Sequence, residues 1–206
     1  MSDLNTRLMN AARGGHAEIV QELIDGGADV HADDDAALRW AAREGHLAVV
    51  AALLAAGANV HAEDDAALRA AALAGHADVV ATLIGAGANV HAEDDDALRW
   101  AAWRGHVEVV RALLAAGADV HAEDDDALRW AARADHAEVL RALLGADHVY
   151  DAGADPRGYR FLGLRLDDGI TVAAGCRWLW LAEARAHWAN NPDALARVQR
   201  IADWGG

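Results

Sequence analysis

Along residues 4–144 the apolar positions fall into two short runs at helical spacing, and the same two runs return every 30 residues. In one unit Leu38, Ala41 and Ala42 share one helical face. Gly45-His46 interrupts it, and Val49, Val50, Leu53 and Leu54 supply the apolar face of a second helix before Gly57 ends it. The polar phrase between units repeats as well: Asp29-Val30-His31-Ala32-Asp33-Asp34-Asp35 returns from Asn59, from Asn89 and from Asp119. A period of 30 with two helical runs per unit is the pattern of a stacked helical array. It predicts one helix pair over residues 4–27, units at 31–60, 61–90 and 91–120, and a fifth starting at 121. The first pair lacks the acidic phrase and has polar outer positions (Asn5, Arg7, Asn10), as an end unit should.

Local chemistry fills in each unit. Ala and Leu dominate the runs, and both are strong helix formers. Gly45 is expected at positive φ as it closes the first helix. Asp34 or Asp35 is expected to accept hydrogen bonds from the orphan amides that open that helix, where negative charge suits the dipole.

The repeat logic stops after Leu144. Asp155-Pro156-Arg157-Gly158 reads as a turn. Residues 159–166 and 170–174 read as an antiparallel hairpin about Asp167-Asp168-Gly169, closed by Gly175-Cys176-Arg177-Trp178. Short helices follow over 181–188 and, after Pro192, over 193–204. The expected fold class is therefore mostly α: a helical repeat solenoid over residues 1–148, with a small α+β capping module over 149–206.

Composition narrows the function. The chain has a net charge of -15 and no lysine; residues 1–150 hold 26 acids against 11 arginines, while 151–206 hold seven of each sign. The acidic excess thus belongs entirely to the array. Such a field opposes nucleic acid and anionic membrane and favours basic partners, although solubility alone accounts for it equally well. The amino-terminus has no basic-then-apolar pattern, and no apolar run reaches 18 residues, so neither a secretory signal nor a membrane span is expected. One cysteine, Cys176, excludes an internal disulfide and suits a reducing compartment, a cytoplasm being the expectation.

The run Gly45-His46-Leu47-Ala48-Val49-Val50-Ala51-Ala52-Leu53-Leu54-Ala55-Ala56-Gly57-Ala58-Asn59-Val60, with its copies, resembles the ankyrin repeat over residues 4–148. The resemblance implies antiparallel helix pairs in a curved stack with a concave binding face. This chain departs from the family in a unit of 30 residues rather than the typical 33, and in the loss of the Thr-Pro-Leu-His phrase. Ala36-Ala37-Leu38-Arg39 and its copies stand there instead. Shortened acidic loops are expected in place of projecting fingers. A second string, Asp168–Trp178 with Glu183–Trp188, resembles a small module found in phage and prophage proteins, and that resemblance implies a bacterial cytoplasm.

Candidate recognition residues follow from register. Trp40, Trp100 and Trp130 occupy one position of the unit, outside the packed Leu38, Ala41 and Ala42 face, and Trp103 lies near Trp100 on its helix. With Arg43, Arg104 and Arg133 at the rim, they form an expected aromatic and arginine stripe, the usual composition of protein–protein hot spots. Pairing with a second copy of the chain, and plain covering of the alanines, are the alternatives. The acid runs place 14 carboxylates on one edge; Asp94, Asp95, Asp96, Asp124, Asp125 and Asp126 are the candidates for a basic partner there. Capping and solvation compete with that reading. Cation binding is disfavoured because the runs lack a calcium loop's glycine turn and ligand alternation.

Arg39, Arg69, Arg99 and Arg129 are expected to form salt bridges to those acids. Two histidine ladders (His16, His46, His76, His106, His136 and His31, His61, His91, His121) are read as structural, since one histidine per unit cannot furnish several zinc ligands at ~2 Å. Cys176 with His187 invites an enzyme, but a lone cysteine is commonly a small buried hydrophobe. No catalytic constellation, cofactor or metal site is expected. The preferred function is non-catalytic protein recognition, and the alternative is an inhibitor that mimics nucleic acid with its acidic surface.

Overall fold

The structure, a computed structural model, describes residues 3–145, 149–154, 160–166, 169–174 and 177–205. The repeat pairs are α1 (Asp3–Arg13) and α2 (Ala17–Asp25), α3 (Ala32–Glu44) and α4 (Leu47–Ala55), α5 (Ala62–Ala74) and α6 (Ala77–Gly85), α7 (Ala92–Arg104) and α8 (Val107–Ala115), and α9 (Ala122–Arg133) and α10 (Ala137–Leu144). A four-stranded sheet follows: β1 (Val149–Ala154), β2 (Arg160–Leu166), β3 (Gly169–Ala174) and β4 (Arg177–Trp180). The helices α11 (Leu181–His187) and α12 (Pro192–Gly205) end the chain. The chain divides into two compact units, Met1–Ala101 with Glu108–Glu123, and Ala102–Val107 with Asp124–Gly206.

In the first unit, first helices stack on first helices (α1 on α3, α3 on α5) and second on second (α2 on α4, α4 on α6). Leu38, Ala41, Ala42, Val49, Val50 and Leu53 of one repeat are buried completely or nearly so, and their 30-residue counterparts behave alike except Ile19, which is exposed in the end unit. Alanine at two of three inward positions of the first helix lets it approach its neighbour closely.

The glycine that ends each first helix has a more specific reason to be glycine. Gly45 sits at φ 78°, and a Cβ built on it would lie 2.5 Å from the ring of His76, one unit on. Gly15 meets His46 in the same way, and, in the second unit, Gly105 meets His136. The rings lie there because each donates its Nε2–H to a carbonyl of the preceding unit. His46 Nε2 is 3.0 Å from Arg13 O, His76 Nε2 3.1 Å from Arg43 O, and His136 Nε2 3.0 Å from Trp103 O. The structural reading of these histidines thereby takes a specific form: they join successive units. The last unit has Asp135 in place of glycine, at φ 59°. No sixth helix pair follows among the described residues to bring a ring against it.

The acid run also departs from expectation. Asp33, Asp34 and Asp35 all adopt left-handed backbone, φ 56°, 52° and 58°, and the turn recurs at Glu63–Asp65 and Glu93–Asp95. A left-handed residue costs roughly 1–2 kcal/mol, less for Asp, whose side chain bonds locally. The third acid is not an amino-terminal cap of its own helix. It turns inward and is 4–5% exposed at Asp35, Asp65 and Asp95. Its Oδ1 accepts the backbone N–H of the next unit's returning loop: Asn59 to Asp35 at 2.7 Å, Asn89 to Asp65 at 2.8 Å, Asp119 to Asp95 at 2.8 Å. The same carboxylate meets the imidazole Nδ1 of His31, His61 or His91 at 3.1–3.2 Å. In the end unit Asn5 takes this place and accepts from Asp29 N–H at 3.0 Å.

In the second unit the sheet runs β1-β2-β3-β4, antiparallel throughout. The β2–β3 hairpin and both closing helices follow the sequence pattern. Strands β1 and β4 do not: the sequence pattern offers no strand over Val149–Ala154, and Arg177-Trp178 is expected only to close the hairpin. β1 lies against α10 and α12. Phe161, Val172, Ala184, Ala194, Val198 and Ile201 form the core, with Trp188 edge-on to Phe161 at 5.1 Å. Gly163 lets α12 approach β2: a Cβ there would sit 2.5 Å from Ile201 Cγ2.

Candidate functional site

The arginines divide by partner. Arg39 pairs with Glu63 of the next repeat. Arg69 donates to the carbonyls of Glu63 and Asp64 at 2.9 and 3.2 Å and reaches Asp96 at 3.4 Å. Arg99 donates to Glu93 O and Asp96 Oδ1, both at 3.1 Å, and Arg129 to Asp126 at 2.6 Å. This ladder thus holds the left-handed turns by their carbonyls as well as neutralising acids. Asp96 and Asp126 are occupied by it. Asp95 is buried under Asp119 N–H, so the structure withdraws it from any docking edge: its acceptor capacity is used between repeats. Asp94 is exposed, and Asp125 is half-buried at φ 65°. Asp124's side chain lies outside the described residues.

The second group of arginines sits on tryptophan. In the first unit Trp40 is half-buried, with the Arg13 guanidinium 4.9 Å and that of Arg43 5.4 Å from its ring centroid. Arg13 is a recognition candidate that the sequence stripe omitted; its register, one repeat before Arg43, was the available signal. Trp100, also half-buried, occupies the equivalent position on α7. In the second unit Trp103 is 39% exposed. It meets Trp130 edge-to-face, centroids 5.8 Å apart at 78°, and carries Arg104 over its ring at 4.6 Å. Trp103, Trp130, Arg133 and Ala134 line an open cleft of about 500 Å³. None of the four candidate indoles is shut inside the core.

The profile of the ankyrin repeats, described as "Ankyrin repeats (3 copies)", matches residues 2–64 and 67–157. The chain belongs to the ankyrin-repeat family. No curated protein matches it. The ankyrin array is a non-catalytic scaffold that typically mediates protein–protein interaction. Its expected solenoid with a small carboxy-terminal cap of hairpin and helices is the fold found. Among the described residues, no three His, Cys, Asp or Glu side chains converge in a group fit to hold a metal ion, and no helix is long and apolar enough to cross a membrane. Cys176 lies outside the described residues, and His187 is exposed at the end of α11. In this ankyrin chain His46, His76 and His136 lie between repeats, and His31, His61 and His91 lie on buried aspartates.

Proposed function

We propose that this ankyrin array recognises a protein partner through its tryptophan and arginine positions: Trp40, Arg13 and Arg43 in one compact unit, and Trp103, Trp130, Arg104 and Arg133 in the other. The observation that carries this reading is the unburied indole with a guanidinium on its face, found in both units. Stacked arginine and tryptophan give large contact area with little rotamer freedom left to lose, the composition in which binding energy concentrates. A bare scaffold needs neither, since alanine fills the same register at Ala70.

The acidic edge takes a lesser part. Its third acid is buried, and Asp96 and Asp126 are bound to arginine, which leaves Asp34, Asp64 and Asp94 among the exposed carboxylates. These keep the chain soluble and oppose polyanions at long range.

The test is capture from host lysate by the full chain and by a Trp40/Trp100/Trp130→Ala variant, with circular dichroism to establish that both fold. Loss of the captured protein in the variant, persisting at 0.5 M salt, supports tryptophan-led recognition. Equal capture by both rejects it, and capture that collapses with salt in both favours mimicry of nucleic acid by the acidic edge.

A further inference from the structure

Resting on that reading, we infer that the cleft lined by Trp103, Trp130 and Arg133 takes an acidic peptide segment of the partner, an apolar side chain set against the indoles with a neighbouring carboxylate on Arg104 or Arg133. Four exposed arginines of the array, Arg13, Arg43, Arg104 and Arg133, form no ion pair among the described residues. By contrast, Arg39, Arg69, Arg99, Arg111, Arg129 and Arg141 all do. In a chain of net charge -15, carboxylates are abundant and free cations scarce. Of the five array arginines without an ion pair among the described residues, four lie beside tryptophan, and the fifth, Arg7, belongs to the end unit.

Arg104 lies over the Trp103 ring, its guanidinium carbon 4.6 Å from the centroid, and its exposed N–H donors are available to a carboxylate. Arg133 lines the cleft itself, so one guanidinium is in its wall and a second sits on one of its indoles. At about 500 Å³ this opening suits a few side chains rather than a folded surface. A guanidinium recognises a carboxylate through paired N–H donors, which makes Asp or Glu beside an apolar residue the fitting chemistry.

Single-stranded nucleic acid also stacks on indoles and pairs with arginine. The array's acidic field disfavours it, because a polyphosphate meets that field along its whole length whereas one carboxylate meets it once. The partner's contact surface at the tryptophans is thus acidic, opposite in sign to the basic partner that net charge alone suggests.

The experiment uses the full chain and fluorescein-labelled nonapeptides of alternating leucine and aspartate. Matched peptides carry asparagine or lysine in place of aspartate, and a nine-nucleotide oligo-dT completes the set. By fluorescence anisotropy the aspartate peptide is expected to bind at least tenfold more tightly than the asparagine peptide. Arg104→Gln and Arg133→Gln each weaken it about threefold to tenfold, while Arg111→Gln, an exposed arginine elsewhere, leaves it unchanged. Trp130→Phe keeps the ring and weakens binding less than Trp130→Ala, and the indole N–H resonances of Trp103 and Trp130 shift on titration.

The inference is overturned if no peptide binds, or if the asparagine or lysine peptide binds as tightly as the aspartate one. Tighter binding of the oligonucleotide overturns it too, as does unchanged affinity in both arginine variants. Retained lysate capture that depends on the tryptophans, together with any of those results, discards the acidic segment and leaves the recognition reading standing.

Discussion

The acid-turn edge and the tryptophan positions are both built from charged residues at fixed register, yet they use charge in opposite ways. At the edge the third acid of each run and the arginine ladder are engaged inside the chain: Asp65 holds Asn89 N–H and His61, and Arg69 holds two turn carbonyls and Asp96. At the tryptophans the guanidiniums rest on rings, and among the described residues no carboxylate pairs with them. Repetition by itself does not tell these apart, since both ladders recur every 30 residues. The difference lies in where hydrogen-bond capacity is spent, and it predicts that changes at the edge alter stability while changes at the tryptophans alter binding.

The largest effect is expected at Gly45→Ala. A methyl there adds left-handed strain of roughly 1–2 kcal/mol to a collision with the His76 ring at 2.5 Å, and overpacking costs typically 1–3 kcal/mol. A loss of about 3 kcal/mol in urea unfolding is expected. Gly57→Ala, at φ 93° with open space around it, carries the strain alone and should lose about half as much. Equal losses would show that the histidine ring does not define the junction between repeats.

Asp65→Ala comes next, at about 2–3 kcal/mol, because it takes the acceptor from Asn89 N–H and removes a part-buried, charge-assisted bond. Asp65→Asn keeps an acceptor and should retain about half of that. Asp64→Ala, one residue earlier but exposed, should change stability by less than about 1 kcal/mol, mostly through its left-handed backbone. If Asp64 and Asp65 respond alike, the edge is a solvated charge run and the link between repeats is absent.

This pair also marks how far sequence reasoning reaches. The helix pairs, the positive φ at Gly45 and the apolar face of each repeat were legible, because helical spacing and glycine punctuation act locally. The role of Asp65 was not, since its partner is 24 residues away and a left-handed turn had to reverse the run before the carboxylate could face inward. A signal did exist: Asn5, Asp35, Asp65, Asp95 and Asp125 all offer a side-chain carbonyl oxygen at one register, whereas the acid just before them gives way to Leu4 in the end unit. In the carboxy-terminal module the β2–β3 hairpin was legible from its turn and alternation. β1 was not, because Val149–Ala154 contains too little alternation to read as a strand until pairing with β2 fixes it. Among the site residues the tryptophans could be placed by register, but which arginines remain unpaired depends on contacts between neighbouring repeats.

The smallest stability effect, and the sharpest contrast, is expected at Arg133→Gln. The side chain is exposed and takes no ion pair among the described residues, so thermal and urea unfolding should move by less than about 0.5 kcal/mol, within the usual range for a surface substitution. Arg69→Gln removes bonds to two turn carbonyls as well as to Asp96, and should cost about 1–2 kcal/mol although its charge change is identical. Matched unfolding curves of the two variants therefore separate an arginine that holds the fold from one that the fold leaves available. A loss at Arg133 as large as that at Arg69 would mean that the tryptophan positions are also part of the scaffold, and the division between edge and cleft would not stand.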